Sequence, residues 1–317
     1  MSGQVAGYLH PAYAASFLDW GQPLLLPRSG GWLLARSVPG TEDRDAIGCY
    51  PIFACPKWEA LEADIASLED GLVAVSLVTD PFGDFDPAML RRAFPDWCIP
   101  FKEHFVADLS VPRDTAISSH HRREANRALR HFRVEVCTRP QDVLDDWIGL
   151  YQILIGRHGI VGLQRFSRRI FAQQFDVPGL TLLRAVSDGV TVGMTMWYEQ
   201  ADVAYFHLSA SNATGYKWGG ASYALLWTAW EWFAPRVRWL ALGATAGFTS
   251  RDNGLSWFKR GWATTKRTAY FCGRVLDRSR YEALSCHQPS TGYFPAYRAG
   301  EFAQMPLVND RIPCGKS

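Results

Sequence analysis

Asp202-Val-Ala-Tyr-Phe-His-Leu-Ser-Ala-Ser211 is an apolar run long enough for a buried strand, and it breaks into the glycine-rich turn Gly215-Tyr-Lys-Trp-Gly-Gly-Ala221. Helical spacing follows from Ser222 to Phe233, then a second apolar run, Val237-Arg-Trp-Leu-Ala-Leu-Gly243, and finally Trp257-Phe-Lys-Arg-Gly-Trp262. Strand, glycine turn, helix, strand and short helix make a compact α/β unit. The turn stands where a helix begins, and the free N–H groups of a helix N-terminus are a ready anion site.

Around that stretch lie 317 residues, a length that suits two units of roughly 100–200 residues each. Hydrophobic residues make up 48% and aromatic residues 14%, enough for a sizeable core, and the 13 Trp are read mainly as core with a few free to line a cleft. A net charge of +2 lacks the broad basic surplus of a nucleic-acid coat protein, while a local anion site stays compatible with it. The seven cysteines are scattered without a CxxC pair, which suits free thiols in a reducing compartment. Nothing near Cys49 and Cys55 completes a metal set, so no metal is expected. The start of the chain has no basic segment before an apolar core, and Leu24–Leu26 and Trp32–Leu34 are too short to span a bilayer. The expectation is a cytoplasmic protein with no membrane span.

Three units are expected: 1–110, 111–286 and an irregular tail, 287–317, rich in Pro, Gly and polar residues. In the first, strands are read at 31–36, 46–53, 72–78 and 101–109, with helices at 12–19, 57–68 and 88–94. In the second, Ser118 caps a helix to Arg130 that carries Arg122, Arg123 and Arg127 beside His120 and His121. That face is either solvated or a contact for a phosphate-bearing substrate. A strand at 133–137, helices at 141–157 and 167–175, and a hairpin of 180–186 and 191–198 about Ser187-Asp-Gly189 precede the central unit, and a strand at 266–272 follows it.

The helix Ser119 to Arg130, the hairpin with Gly193, the strand running into the glycine turn, and Gly254-Leu255 leading to Phe258-Lys-Arg-Gly-Trp262 together resemble the FemAB-like branch of the GNAT acyltransferases. That branch includes CelD-type polysaccharide acyltransferases and aminoacyl-tRNA-dependent peptidoglycan transferases. The resemblance covers about residues 100–285; the first hundred residues match in element order. It implies an α/β (α+β) fold of two GNAT-like lobes, each a mixed, mostly antiparallel sheet flanked by helices, with the active cleft in or beside the second. It also implies a donor-pyrophosphate loop of the form Q/R-x-x-G-x-G/A, here Tyr216, Lys217, Trp218, Gly219, Gly220 and Ala221. Gly219 and Ala221 fit the pattern, Tyr216 replaces the Gln or Arg, and Lys217 offers a charge; the bland alternative is a turn that merely opens a helix. The tyrosine that often protonates the leaving thiolate in GNAT enzymes is missing from Trp257-Phe258-Lys259. The Phe-Lys pair instead matches the FemAB-like branch, and it implies that Lys259 stabilises charge on the acyl oxygen or leaving group. A structural surface lysine is the alternative.

Acyl transfer to an amine needs a neutral nitrogen, a carbonyl held within about 3–3.5 Å and donors aimed at the oxyanion, and it gains from a base that titrates near neutrality. Strand alternation places Tyr205, His207 and Ser209 on one face. If that face lines the cleft, His207 is the leading base; a hydrogen-bonded core histidine is the other reading. His158 is the second candidate, and Arg157, Tyr205, Ser209, Trp257, Phe258 and Arg260 are expected to face substrate. There is no G-x-S-x-G elbow, no G-x-x-x-x-G-K-[ST] loop and no H-E-x-x-H. The expected activity is N-acyl transfer from a thioester such as acyl-CoA to an amine on a sugar, a cell-envelope precursor or a small metabolite, with no permanently bound cofactor. The alternatives are aminoacyl-tRNA as the donor, making tRNA a partner, or a non-catalytic GNAT-like binding protein.

Overall fold

The computed structural model describes residues 5–68, 71–245, 254–286, 292–299 and 301. Eleven strands are described: β1 (Gln22–Leu25), β2 (Trp32–Ser37), β3 (Arg44–Gly48), β4 (Leu72–Val78), β5 (Trp97–Asp108), β6 (Arg133–Val136), β7 (Leu180–Ser187), β8 (Val190–Gln200), β9 (Val203–Ser211), β10 (Trp239–Gly243) and β11 (Thr265–Val275). The helices are α1 (Pro11–Ala15), α2 (Leu61–Ala66), α3 (Pro87–Ala93), α4 (Arg113–Ala116), α5 (Ser119–Ala128), α6 (Leu144–His158), α7 (Arg168–Gln174), α8 (Ala221–Phe233), α9 (Gly254–Arg260) and α10 (Arg278–Ser285). No helix among the described residues is long and apolar enough to cross a membrane.

All eleven strands join one mixed sheet in the order β1-β2-β3-β4-β11-β5-β10-β9-β8-β7-β6. The pairs β3–β4 and β9–β10 are parallel and the rest are antiparallel. The fold is therefore α/β, with a large mixed sheet flanked by helices. The sheet runs unbroken across the expected 110/111 boundary. β11 lies between β4 and β5, both from before that boundary, and β5 pairs in turn with β10.

Packing explains which runs become strands. β8 and β9 are covered on both faces, so they read as near-continuous apolar runs and not as alternation. One face carries α1, α6 and α7 over a cluster that includes Tyr8, Trp147, Phe171, Tyr198 and Tyr205. The other carries α5 and α8 over Phe105, Trp197, Leu240 and Trp262. Helix α8 is apolar almost all round because sheet and α5 enclose it. A third cluster holds α2 and α3 against β2–β4.

Three elements escaped the sequence reading. β1 is four residues long and contains Pro23, which fits only a sheet edge. Neither α4 nor α10 buries a residue, so neither shows an apolar period. The strand read at 46–53 ends at Gly48. Most of the expected tail lies outside the described residues, but the part within them is anchored. Phe294 is buried, and the Arg298 guanidinium donates to both carboxylate oxygens of Asp45 at 2.8 Å.

Candidate active site at a fork in the sheet

β9 and β10 pair at Val203 with Trp239, Ala204 with Leu240 and Tyr205 with Ala241, and then separate. β9 continues to Ser211 against β8, and β10 continues to Gly243 against β5. Each strand bulges where they part. Met196 and Trp197 face Leu208 and Phe206, which leaves His207 as the extra residue; Val106 and Phe105 face Ala241 and Gly243, which leaves Leu242 extra. A bulge bends its strand and sharpens the local twist. Two of them, level with each other on neighbouring strands, open a fork with no strand pairing along its inner edges.

The bulge also corrects one expectation. Tyr205 and His207 share a face, but the alternation reverses after His207. Leu208 and Ala210 pack on the Tyr205 side, and Ser209 stands opposite Thr195, whose Oγ1 accepts from Trp197 Nε1 on the α8 side. Ser209 therefore does not line the face of Tyr205 and His207.

Helix α9 delivers Lys259 to the fork. Its Nζ donates to the Ala244 carbonyl at 2.6 Å and lies 6.0 Å from the centre of the Phe206 ring, so it bridges the two diverging strands. The residue is 8% exposed. Burial, reinforced by the Lys102 ammonium, pushes its pKa from 10.5 down to about 7. Lys102 Nζ donates to the Thr245 carbonyl at 3.4 Å, and His104 on the same strand is driven to about 3 by burial and then by Lys259 and Lys102. The fork thus gathers three basic nitrogens, and Lys259 has no ion pair among the described residues.

A seven-residue helix has little stability of its own, and α5 holds α9 in place. His121 Nε2 donates to the Phe258 carbonyl at 2.9 Å, which leaves Nδ1 to accept from the Ser118 hydroxyl at 2.7 Å. Ser118 N donates to the Gly261 carbonyl at 3.0 Å, and a Cβ at Gly261 would run into the His121 ring. His121 had been grouped with the basic face of α5; it is a buried pin that sets the position of Lys259.

The expected donor loop lies beside this helix. Gly219 and Gly220 have φ of 91° and 105°, which glycine accommodates without strain; Trp218 before them is left-handed at 52°, and Gly220 then opens α8. Tyr223, one turn into α8, sits edge-on to Phe258 at 5.0 Å, so loop and Lys259 helix are neighbours. Lys217 is exposed, and His131 stacks on Trp218 at 4.6 Å. The loop also faces a carboxylate. Glu124 Oε2 of α5 lies 2.6 Å from where a Gly219 Cβ would stand.

Across the sheet, His207 is 7% exposed and enclosed by the rings of Tyr8, Tyr13, Tyr50, Tyr198 and Phe166, with centroids 5.3 to 6.5 Å away. Nδ1 meets the Tyr8 hydroxyl at 3.1 Å, and Nε2 has no partner among the described residues. Burial pushes its pKa down to about 3. On the same face the Asp80 carboxylate accepts from the Tyr205 hydroxyl at 2.7 Å and from Phe82 N at 2.9 Å. Asp80 is 4% exposed, and burial outweighs both bonds to raise it from 3.8 to about 6. Arg267 stands opposite His104 in the β11–β5 pairing, with its guanidinium over the rings of Phe82 and Trp239.

The remaining expected residues divide. Trp257 is 48% exposed and packs on His120 and His121, Phe258 is half-buried between Tyr223 and Trp262, and Arg260 is exposed. The Arg157 guanidinium lies 4.1 Å over the ring of exposed Tyr216, beside the loop. His158, next in α6, is exposed, and its side chain makes no hydrogen bond among the described residues. The structure sets the loop beside the helix that carries Lys259, and among the described residues no hydrogen bond or ring contact joins the His158 side chain to either. Lys102, His104, Asp80 and Arg267 were missed by sequence reasoning. The one local signal, Asp80-Pro81 just after the strand at 72–78, marks a strand end and not a carboxylate site.

The sequence matches no family model and no curated protein. Solved structures share the fold. FemX aligns with a TM-score of 0.66 at 13% identity, over 86% of this chain and 93% of FemX. L-PGS from Bacillus licheniformis aligns at 0.56 and 14% identity, over 88% of this chain and 95% of that one. The C-terminal DUF2156 domain of an Agrobacterium fabrum protein aligns at 0.59 and 13% identity, over 83% and 87%. The mixed α/β fold with helices flanking the sheet, implied by the FemAB-like resemblance, is the fold the chain adopts; its strands form one continuous sheet and not one in each of two lobes.

Proposed function

We propose that the chain transfers an acyl or aminoacyl group to an amine at the fork between β9 and β10. The observation that carries this reading is Lys259, a buried ammonium titrating near 7 whose Nζ stands between the diverging strands. A donor lying along α8 would put its carbonyl into the fork, where the ammonium stabilises the developing oxyanion in a setting largely closed to water. The acceptor would approach on the opposite face. There the Asp80 carboxylate, close to its own pKa at neutral pH, is suited to take a proton from the attacking amine. The nitrogen–carbon bond forms, the bond from the carbonyl carbon to the leaving sulfur or oxygen breaks, and Lys259 supplies the leaving atom's proton. His207, sealed among five rings, is assigned to the wall and not to the base. The fold shared with FemX and L-PGS supports the same class of transfer.

The first donor reading is an acyl thioester such as acyl-CoA, with its pyrophosphate on the Gly219–Ala221 amides. Glu124 favours the second, aminoacyl-tRNA. A pyrophosphate oxygen about 4 Å from that carboxylate would meet a repulsion of about 1–4 kcal/mol per unit charge, depending on the effective dielectric. The exposed Tyr216, Trp257, Arg123 and Arg127 offer rings and charges to a nucleotide end instead. The acceptor is assigned to amines of cell-envelope precursors or small metabolites.

The test gives the full chain acyl-CoAs of several lengths or charged tRNA, with an amine acceptor, and follows transfer by mass spectrometry. One donor class should yield product that Lys259→Ala abolishes, and dependence on tRNA should weaken steeply with salt. If neither class yields product, transfer is ruled out and a non-catalytic binding protein remains.

A further inference from the structure

The two fully buried arginines among the described residues, Arg36 and Arg298, have anions. Arg298 is held by Asp45, and Arg36 Nη1 donates to Glu301 Oε1 at 2.5 Å. Arg267 is half-buried, yet among the described residues its guanidinium makes no hydrogen bond and no ion pair. Its guanidinium carbon lies 4.3 Å from the Phe82 ring centre and 5.1 Å from that of Trp239. Those rings support the flat cation and leave its N–H donors for another partner. The strand neighbour across from it is His104, which burial and two lysines keep neutral. Arg267 acts on Asp80 electrostatically, with no hydrogen bond between them; the Asp80 oxygens accept from Tyr205 and Phe82. A prepared cation and a buried carboxylate therefore stand side by side on the acceptor face, with no ion pair or hydrogen bond joining them among the described residues.

We propose that Arg267 holds an anionic group, carboxylate or phosphate, that the acceptor carries a few bonds from its amine, so that the substrate is zwitterionic at this end. The proposal rests on the acyl-transfer reading and deepens it by naming the acceptor class. The ammonium faces Asp80, and the anion is gripped by the guanidinium fork, for which Arg is better shaped than Lys. A plain alkylamine would satisfy Asp80 and leave Arg267 unmatched.

The test is binding without a donor. The full chain, labelled with ¹⁵N, is titrated with ethylamine, β-alanine and phosphoethanolamine while the indole N–H of Trp239, assigned with Trp239→Phe, is followed. At least one of the two zwitterions should bind about tenfold tighter than ethylamine, as expected for a charge-assisted bidentate contact. The stronger of them tells carboxylate from phosphate. Arg267→Gln should abolish that preference with its thermal transition in place. If this variant unfolds, Arg267→Lys decides, with a several-fold loss for the zwitterion and none for ethylamine. Binding of ethylamine as tight as that of both zwitterions, no binding of either zwitterion, or a preference that survives the substitutions overturns the proposal. The two readings fail separately. Selective binding without turnover from any donor removes the transferase and leaves this site, whereas turnover onto ethylamine without selectivity does the reverse.

Discussion

Lys259 and His207 occupy opposite faces of the same fork, and burial lowers the pKa of both side chains. Their outcomes differ because their starting points differ. A depression of similar size leaves the lysine near 7 and carries the histidine to about 3. The lysine changes charge where enzymes work, and the histidine stays neutral throughout that range. Their surroundings differ in the same sense. Lys259 ends on a backbone carbonyl at an opening in the sheet, and His207 ends on Tyr8 inside a shell of rings. Residue type favours a histidine for acid–base work, but at this fork the depth of burial gives the titratable position to lysine.

The strongest way to break the contrast is to remove the lysine charge. Lys259→Met should lower transfer by about 10²–10³-fold, the usual loss on deleting an oxyanion donor. It should not weaken the fold. The unfolded chain holds the lysine proton more tightly between about pH 7 and 10.5, so the parent protein gains stability as pH rises through that window. The variant lacks this slope, and its advantage in thermal unfolding should be greatest below pH 7. An advantage that grows with pH would contradict the buried ammonium.

Asp80→Asn should cost about a hundredfold in turnover, the scale of a lost general base. Here the folded pKa is raised from 3.8 to about 6, so the parent loses stability as pH rises through that interval and Asn does not. The variant should be at least as stable as the parent at pH 7. With Asp80 required ionised and Lys259 required protonated, the rate should follow a narrow bell with an acid limb near 6 and an alkaline limb near 7. A broad plateau from pH 6 to 9 would remove both assignments.

His207→Phe sharpens the contrast from the other side. It should destabilise by about 1–3 kcal/mol, because the Tyr8 hydroxyl loses its buried partner. The positions of both limbs should stay where they are; a displaced acid limb would return His207 to the chemistry. The smallest expected effect belongs to Glu124→Gln, which should tighten acyl-CoA binding about threefold to tenfold, as relief of one nearby like charge allows. Unchanged affinity in calorimetry would mean that the pyrophosphate does not use this loop.

The parts of the site legible in the sequence are those contiguous in it. Lys259 is singled out by sequence because Phe258-Lys-Arg-Gly-Trp262 is a local string, and the turn before α8 because its glycines mark it. β4 and the β7–β8 hairpin were read closely for the same reason: an apolar run or a turn dipeptide states them within a dozen residues. Asp80 and Tyr205 hydrogen-bond across 125 positions, and Arg267 meets Phe82 only because β11 enters between β4 and β5. No local period encodes that insertion. Ser209 was misplaced by a single bulged residue, which flips every side chain beyond it and leaves no mark in composition.

The position of β11 has a consequence for biosynthesis. Before Thr265 emerges from the ribosome, β4 and β5 have no partner on the sides that later face each other, so the nascent chain carries two raw sheet edges in place of one interior. Closure waits for a segment nearly two hundred residues downstream of β4, a long-range event of the slow kind. Expression yield, chaperone dependence and aggregation of shortened forms should therefore hinge on this one strand far more than on β9 or β10, the two strands of the fork.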